Sequence, residues 1–283
     1  MVTISSHIRL ALPGDGVMLA ADAYGETAAP PVFFFHGGGQ SRRSWTGTAR
    51  MVARAGYRGI TVDLRGHGES GWAADGDYFV DAYARDVEHL LAWAGRPAAL
   101  VGASRGGQAA FIAASRHPKQ VSLVMLADVA PWNAQSGLKR IFKFLAESLD
   151  GYTSVDEAAD ALAHLLERPR VADASGLAKM MRTAPDGRLF WQWDPATAKP
   201  DFLAPPEEEA AMVAAARRIT CPTVLVRGSL SDLVPPENAA RFKALMPHLV
   251  MVEAQGAGHM FTGDRNDAFG ATLLEYLRKF APV

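Results

Sequence analysis

Apolar residues along this chain fall into short runs separated by longer amphipathic stretches, and that rhythm predicts the architecture. Eight runs read as strands: His7–Leu12, Val17–Tyr24, Val32–His36, Arg58–Asp63, Ala98–Ala103, Ser122–Asp128, Thr223–Arg227 and Leu249–Glu253. From Val32 onward several are uninterrupted, as in Val32-Phe33-Phe34-Phe35. Strands covered on both faces of a parallel sheet read in this way. The first two alternate more and predict an antiparallel edge. Between the strands, Tyr78–Ala94 sets Val80, Tyr83, Val87, Leu90 and Leu91 on one helical face, with Asp77 as the expected N-cap. Arg105–His117 is Ala-rich and stops before Pro118, and Phe269, Leu273, Leu277 and Phe280 mark a last helix ending in Arg278 and Lys279. Strand and helix in alternation predict an α/β fold with a doubly wound sheet.

The rhythm breaks after the sixth strand. A mostly helical stretch punctuated by Pro169, Pro185, Pro195, Pro200, Pro205 and Pro206, and holding Trp132, Phe190, Trp191 and Trp193, precedes the next strand at Thr223. We therefore expect a core over residues 1–130, a helical insertion over 131–214, and the rest of the core over 215–283. Glu207-Glu208-Glu209 opens a helical run that closes on Arg217-Arg218. Acids first and bases last suit the helix dipole, and the run reads as a solvated helix.

Composition narrows the function classes. The 283 residues are 49% hydrophobic and 21% charged, with a formal charge of −1, which argues against a general phosphate-backbone binder. The single cysteine, Cys221, excludes an internal disulfide framework and any multi-cysteine zinc site, and reads as a small core residue. No run of about 18 apolar residues predicts a membrane span, and the first residues lack a secretion-signal pattern, so the expected address is cytoplasmic. Neither Gly-x-Gly-x-x-Gly nor a Walker loop follows any strand, so no nucleotide, nicotinamide or other cofactor is expected. The expected partner is a small-molecule substrate, without nucleic acid or membrane, and both a monomer and a homodimer stay open.

The strongest chemical signal is Gly102-Ala103-Ser104-Arg105-Gly106-Gly107, which leaves an apolar strand and opens a helix. A sharp strand-to-helix turn lifts a serine hydroxyl toward solvent. Glycines two before and two after let strand and helix approach. A serine needs a base, and the base needs an orienting acid. Downstream, the loop Gly228-Ser229-Leu230-Ser231-Asp232 follows one strand and Ala254-Gln255-Gly256-Ala257-Gly258-His259 follows another. Asp232 is the expected acid and His259 the expected base. Asp128, which also ends a strand, is the alternative acid, with a cap or hinge role the expected one. His36-Gly37-Gly38-Gly39-Gln40 follows a third strand. Its glycines suit backbone donors for an oxyanion, best Gly38, with Gly37 the lesser candidate, and the N–H of Arg105 as the second donor. Asp63-Leu64-Arg65-Gly66-His67-Gly68-Glu69-Ser70 reads as a turn supporting that loop, because no second histidine pair completes a metal site.

Together these motifs resemble the α/β-hydrolase family, over about residues 7–281. The resemblance implies an eight-stranded, mostly parallel sheet with helices on both faces and a helical cap inserted after the sixth strand. It implies Ser104 as nucleophile, Asp232 as acid and His259 as base. The segments His36–Trp45 and Gly187–Pro195 are similar to a capped, serine-nucleophile subgroup of esterases and non-haem peroxidase-like proteins. A serine at 104, where epoxide hydrolases and haloalkane dehalogenases carry aspartate, implies a carboxylesterase-like enzyme. Lactone or carbon–carbon bond hydrolysis fits the same triad, with a cofactor-free perhydrolase side activity. A triad-retaining ligand receptor is the alternative from another class. Trp132, Trp191, Trp193 and Met260 are the expected substrate-pocket residues.

Overall fold

The computed structural model describes residues 7–167, 169–170, 173–199, 205–259 and 267–283. Strands β1 (Ile8–Pro13), β2 (Met18–Tyr24), β3 (Pro31–Phe35), β4 (Arg58–Val62), β5 (Ala98–Ala103) and β6 (Val121–Ala127) precede a short hairpin, β7 (Met181–Thr183) and β8 (Leu189–Trp191). β9 (Thr223–Gly228) and β10 (Val250–Ala254) follow. All but the hairpin form one sheet in the order β1-β2-β4-β3-β5-β6-β9-β10. β1 and β2 pair antiparallel, as does β2 with β4, and every later neighbour is parallel. The hydrophobic pattern located these eight strands with ends displaced by no more than one residue.

Burial follows the period-two geometry of strands. Phe33, Phe35 and Leu100 face one core, and Val32, Phe34, Ala99 and Val101 face the other. The first core is covered by α2 (Val80–Ala94) and α3 (Ser104–Arg116), and by α6 (Pro206–Arg218) and α7 (Pro236–Leu245). The second is covered by α1 (Thr46–Arg54) and α8 (Asp267–Phe280). Every residue of β3, β5 and β9 is buried, whereas the edge strand β10 alternates between half-buried and exposed. The expected face of α2 is buried throughout. Asp77 is not its N-cap: its carboxylate accepts the Phe79 N–H at 3.1 Å, making a turn just ahead of the helix.

Between β6 and β9 lie α4 (Gln135–Glu147), α5 (Val155–Leu165), the β7–β8 hairpin and α6. Ser154 caps α5 by accepting the Glu157 N–H. Leu145, Tyr152, Ala158, Met181, Trp191, Trp193 and Ala198 form a separate small core in this segment. Helix α6 instead packs on α3, with Met212, Ala215 and Ala216 in the main core. The reading of α6 as a solvated helix therefore fails along one face, where even an acid, Glu208, is 4% exposed. Its amphipathic face turns that acid inward with the alanines. No helix among the described residues is long and apolar enough to cross a membrane.

Candidate active site

Ser104 stands at the junction of β5 and α3 with φ +45°. A non-glycine residue in this left-handed region is strained, and strain of this kind gathers at functional sites. The turn closes only because its flanks lack side chains. A Cβ on Gly102 would lie 2.5 Å from Gly107 Cα, and one on Gly106 would lie 2.5 Å from the His36 carbonyl oxygen. Arg105 is the second residue of α3, so its N–H belongs to a first turn whose donors have no carbonyl one turn earlier.

The glycine loop passes directly over this junction. A Cβ on Gly37 would lie 3.3 Å from Ser104 Cβ. Two of the loop's three glycine N–H groups are held internally: Gly37 donates to Gln40 Oε1 at 3.2 Å and Gly39 to His67 Nε2 at 3.1 Å. Among the described residues the Gly38 N–H has no partner, and Gly38 is exposed to the cavity it lines. His36 and His67 brace the loop. Leu64 N donates to His36 Nε2 at 3.0 Å, and the two Nδ1 atoms bond the carbonyls of Gly37 and Arg65. Burial pushes His36 down to about 4 and His67 to about 3, so both stay neutral and their Nε2 atoms stay acceptors.

The 63–70 turn anchors both sides of the site. Arg42, just past the glycine loop, is buried and binds Asp22, Asp63 and Glu69. On the other side, Gly68 N donates to Gln192 O at 2.6 Å and Asp194 N to Gly66 O at 2.7 Å. Tyr78 donates its hydroxyl proton to Asp194 Oδ2 at 2.5 Å.

His259 is buried, and its Nδ1 lies 2.7 Å from an aspartate oxygen. That aspartate is Asp128, not Asp232. Asp128 follows β6 with φ +54° and is fully buried. Its Oδ1 accepts the Gly228 N–H at 3.1 Å, and its Oδ2 accepts the Ser231 hydroxyl at 2.5 Å as well as His259. A carboxylate only accepts, so the proton sits on Nδ1 and the Nε2 lone pair points elsewhere. The expectation for Asp232 fails for a local reason. The loop after β9 turns Ser231 inward, where its Oγ also accepts the N–H groups of Leu233 and Val234. Asp232 is thereby turned outward, onto Arg140 of α4 at 2.6 Å.

Ser104, His259, Asp128, Gly38 and Arg105 all line one cavity of about 310 Å³. Ser104 and His259 share it without a direct hydrogen bond between them. Such bonds commonly close only when substrate is bound. Trp191 and Trp193 also line the cavity. Trp132 does not: its indole N–H donates to Glu209 at 2.9 Å, and Arg241 lies 3.6 Å over its ring. These contacts pin it to α6 and α7, away from the serine. Met260 lies outside the described residues. Glu208, Tyr83 and Gln108 line the cavity too. No motif marked them, since each sits in a helix whose pattern alone reads as packing or solvent face. No group of three or more metal-ligating side chains occurs among the described residues.

The strained serine, the glycine loop and the buried histidine–aspartate pair all lie at the carboxyl ends of a mostly parallel sheet, where ligands bind in open α/β sheets. The family model described as "alpha/beta hydrolase fold" matches residues 30–265, and the chain belongs to that family. It is 28% identical over 263 residues to the esterase Rv0045c of Mycobacterium tuberculosis, covering 89% of this chain and 82% of that one. It is 26% identical over 262 residues to the sn-1-specific diacylglycerol lipase ABHD11 of Mus musculus, with the same two coverages. In fold it is similar to an α/β hydrolase from Novosphingobium aromaticivorans, with a TM-score of 0.79, 24% identity, and coverage of 98% of this chain and 100% of that chain.

Proposed function

We propose that this hydrolase cleaves carboxylic esters through an acyl-enzyme on Ser104, with His259 as base and Asp128 as the orienting acid. The observation that carries this reading is the buried Asp128–His259 pair opening onto the same cavity as a serine held at φ +45°. His259 Nε2 takes the serine proton as Oγ attacks the ester carbonyl. The N–H groups of Gly38 and Arg105 receive the oxyanion; losing one such donor typically costs about 10²–10³ in kcat. The alcohol leaves with the proton from His259. Water, activated by the same imidazole, then releases the acid and restores Ser104.

The insertion after β6 acts as a cap in this reading, through α4, α5 and the β7–β8 hairpin. Leu138, Ile141, Leu145, Leu162 and Leu165 of α4 and α5 line the cavity and suit an aliphatic chain. Similarity to an esterase and a lipase supports ester chemistry in particular. The test is labelling with a fluorophosphonate followed by peptide mapping. The adduct is expected on Ser104, together with hydrolysis of 4-nitrophenyl hexanoate, and both should vanish in Ser104→Ala. An adduct on another residue, or ester turnover undiminished in Ser104→Ala, would overturn the proposal.

A further inference from the structure

The cavity has two chemically different walls. One is the aliphatic wall of α4 and α5. The other is built by Tyr83 of α2, Arg105 and Gln108 of α3, and Glu208 of α6. Arg105 Nη1 binds Glu208 Oε1, with side-chain exposures of 17% and 5%, and its guanidinium lies 5.8 Å from the Tyr83 ring centre. Removing such a pair from water is costly, so an aliphatic pair in its place would serve a purely apolar ligand better.

Polar capacity remains on that wall. Among the described residues, Glu208 Oε2, the Tyr83 hydroxyl and the Gln108 amide make no hydrogen bond. Glu208 Oε2 can only accept, so it calls for a donor in the ligand. Tyr83 and Gln108 can each donate to a ligand oxygen. A hydroxyl group satisfies both demands. An ammonium offers Tyr83 and Gln108 no acceptor, and a carboxylate offers Glu208 no donor.

We propose that this wall is a hydroxyl-recognition subsite, and that the substrates are amphiphilic esters, aliphatic on one side of the carbonyl and hydroxylated on the other. The proposal rests on the ester-hydrolase reading above and adds the substrate class to it.

Matched isosteres test it. 2-Hydroxyethyl hexanoate is compared with propyl hexanoate, and hexyl 3-hydroxypropanoate with hexyl butanoate, so that only a hydroxyl replaces a methyl. Choline hexanoate supplies a cationic arm. kcat/KM is measured on the full-length enzyme, and binding of the same esters to Ser104→Ala by calorimetry. In at least one pair the hydroxylated member is expected to win by about tenfold or more in both readouts, and Tyr83→Phe to remove about tenfold of that preference. Glu208→Gln is the second variant and is expected to act in the same direction. A preference below tenfold in both pairs overturns the subsite. So does one that persists in Tyr83→Phe, or faster turnover of the choline ester. If no ester is turned over while the binding preference in Ser104→Ala holds, the ester reading falls and the subsite stands.

Discussion

Exchanging the acid in contact with His259 is the sharpest perturbation of this site. In Asp128→Asn, the amide oxygen can still accept from Gly228 N, as Oδ1 does at 3.1 Å. The amide nitrogen then occupies the place of Oδ2, facing Ser231 Oγ at 2.5 Å and His259 Nδ1 at 2.7 Å. A nitrogen donor there forces His259 to accept at Nδ1, which moves the imidazole proton to Nε2 and removes the lone pair that would take the serine proton. In serine hydrolases this tautomer exchange costs about 10⁴ in kcat, or about 5 kcal/mol of transition-state stabilisation. The cost to folding is smaller, about 1–3 kcal/mol for one buried hydrogen bond turned unfavourable. Asp232→Asn removes only a partly exposed pair with Arg140, side-chain exposures 34% and 30%, worth at most about 1 kcal/mol, and its kcat should stay within about fivefold of wild type on that account. Initial rates on 4-nitrophenyl hexanoate at pH 7.5, with circular dichroism to verify folding, separate the two. A kcat near wild type in Asp128→Asn, with a collapse in Asp232→Asn, would refute the assignment.

Three further outcomes follow from the core. Burial holds His36 at about 4 and His67 at about 3, below the ordinary 6.5, so the unfolded chain binds more protons between pH 6.5 and 4. Stability should therefore fall as pH drops through that window, by up to about 1.4 kcal/mol per pH unit for each histidine; urea midpoints that do not move between pH 7 and 5 would contradict this. Gly102→Ala places a Cβ 2.5 Å from Gly107 Cα and should cost about 3 kcal/mol, lowering Tm by roughly 5–10 °C, whereas Gly176→Ala, with nothing within 4 Å, should leave Tm unchanged in the same scanning calorimetry. Cys221 is buried and its thiol is pushed up to about 11 by burial, so it should resist Ellman's reagent at pH 8 in the native protein and react fully in 6 M guanidinium; rapid native reaction would count against that packing.

Sequence alone located all eight sheet strands, the serine turn, the glycine loop and the histidine loop. Each of these is a local pattern: a run of apolar residues, a glycine spacing, a strand followed at once by a helix. It also identified the family. The choice between Asp128 and Asp232 was not legible, because both follow strands that are neighbours in the sheet, β6 and β9, and either loop lies near His259. Loop geometry sets which carboxylate meets the imidazole, and that geometry is held by Ser231 binding across to Asp128 and by Arg140 binding Asp232. The same holds for Glu208 and Trp132. Charge order placed the Glu207–Glu209 run at a helix start, but which acid turns inward depends on how α6 rotates against α3. Trp132 belonged to an aromatic-rich stretch, yet α7 supplied Arg241 and Asn238 as its partners. Short-range steric and apolar preferences write themselves into consecutive residues. The direction in which a side chain points, once helices have packed on a sheet, depends on contacts about a hundred residues away, and tertiary structure alone decides it.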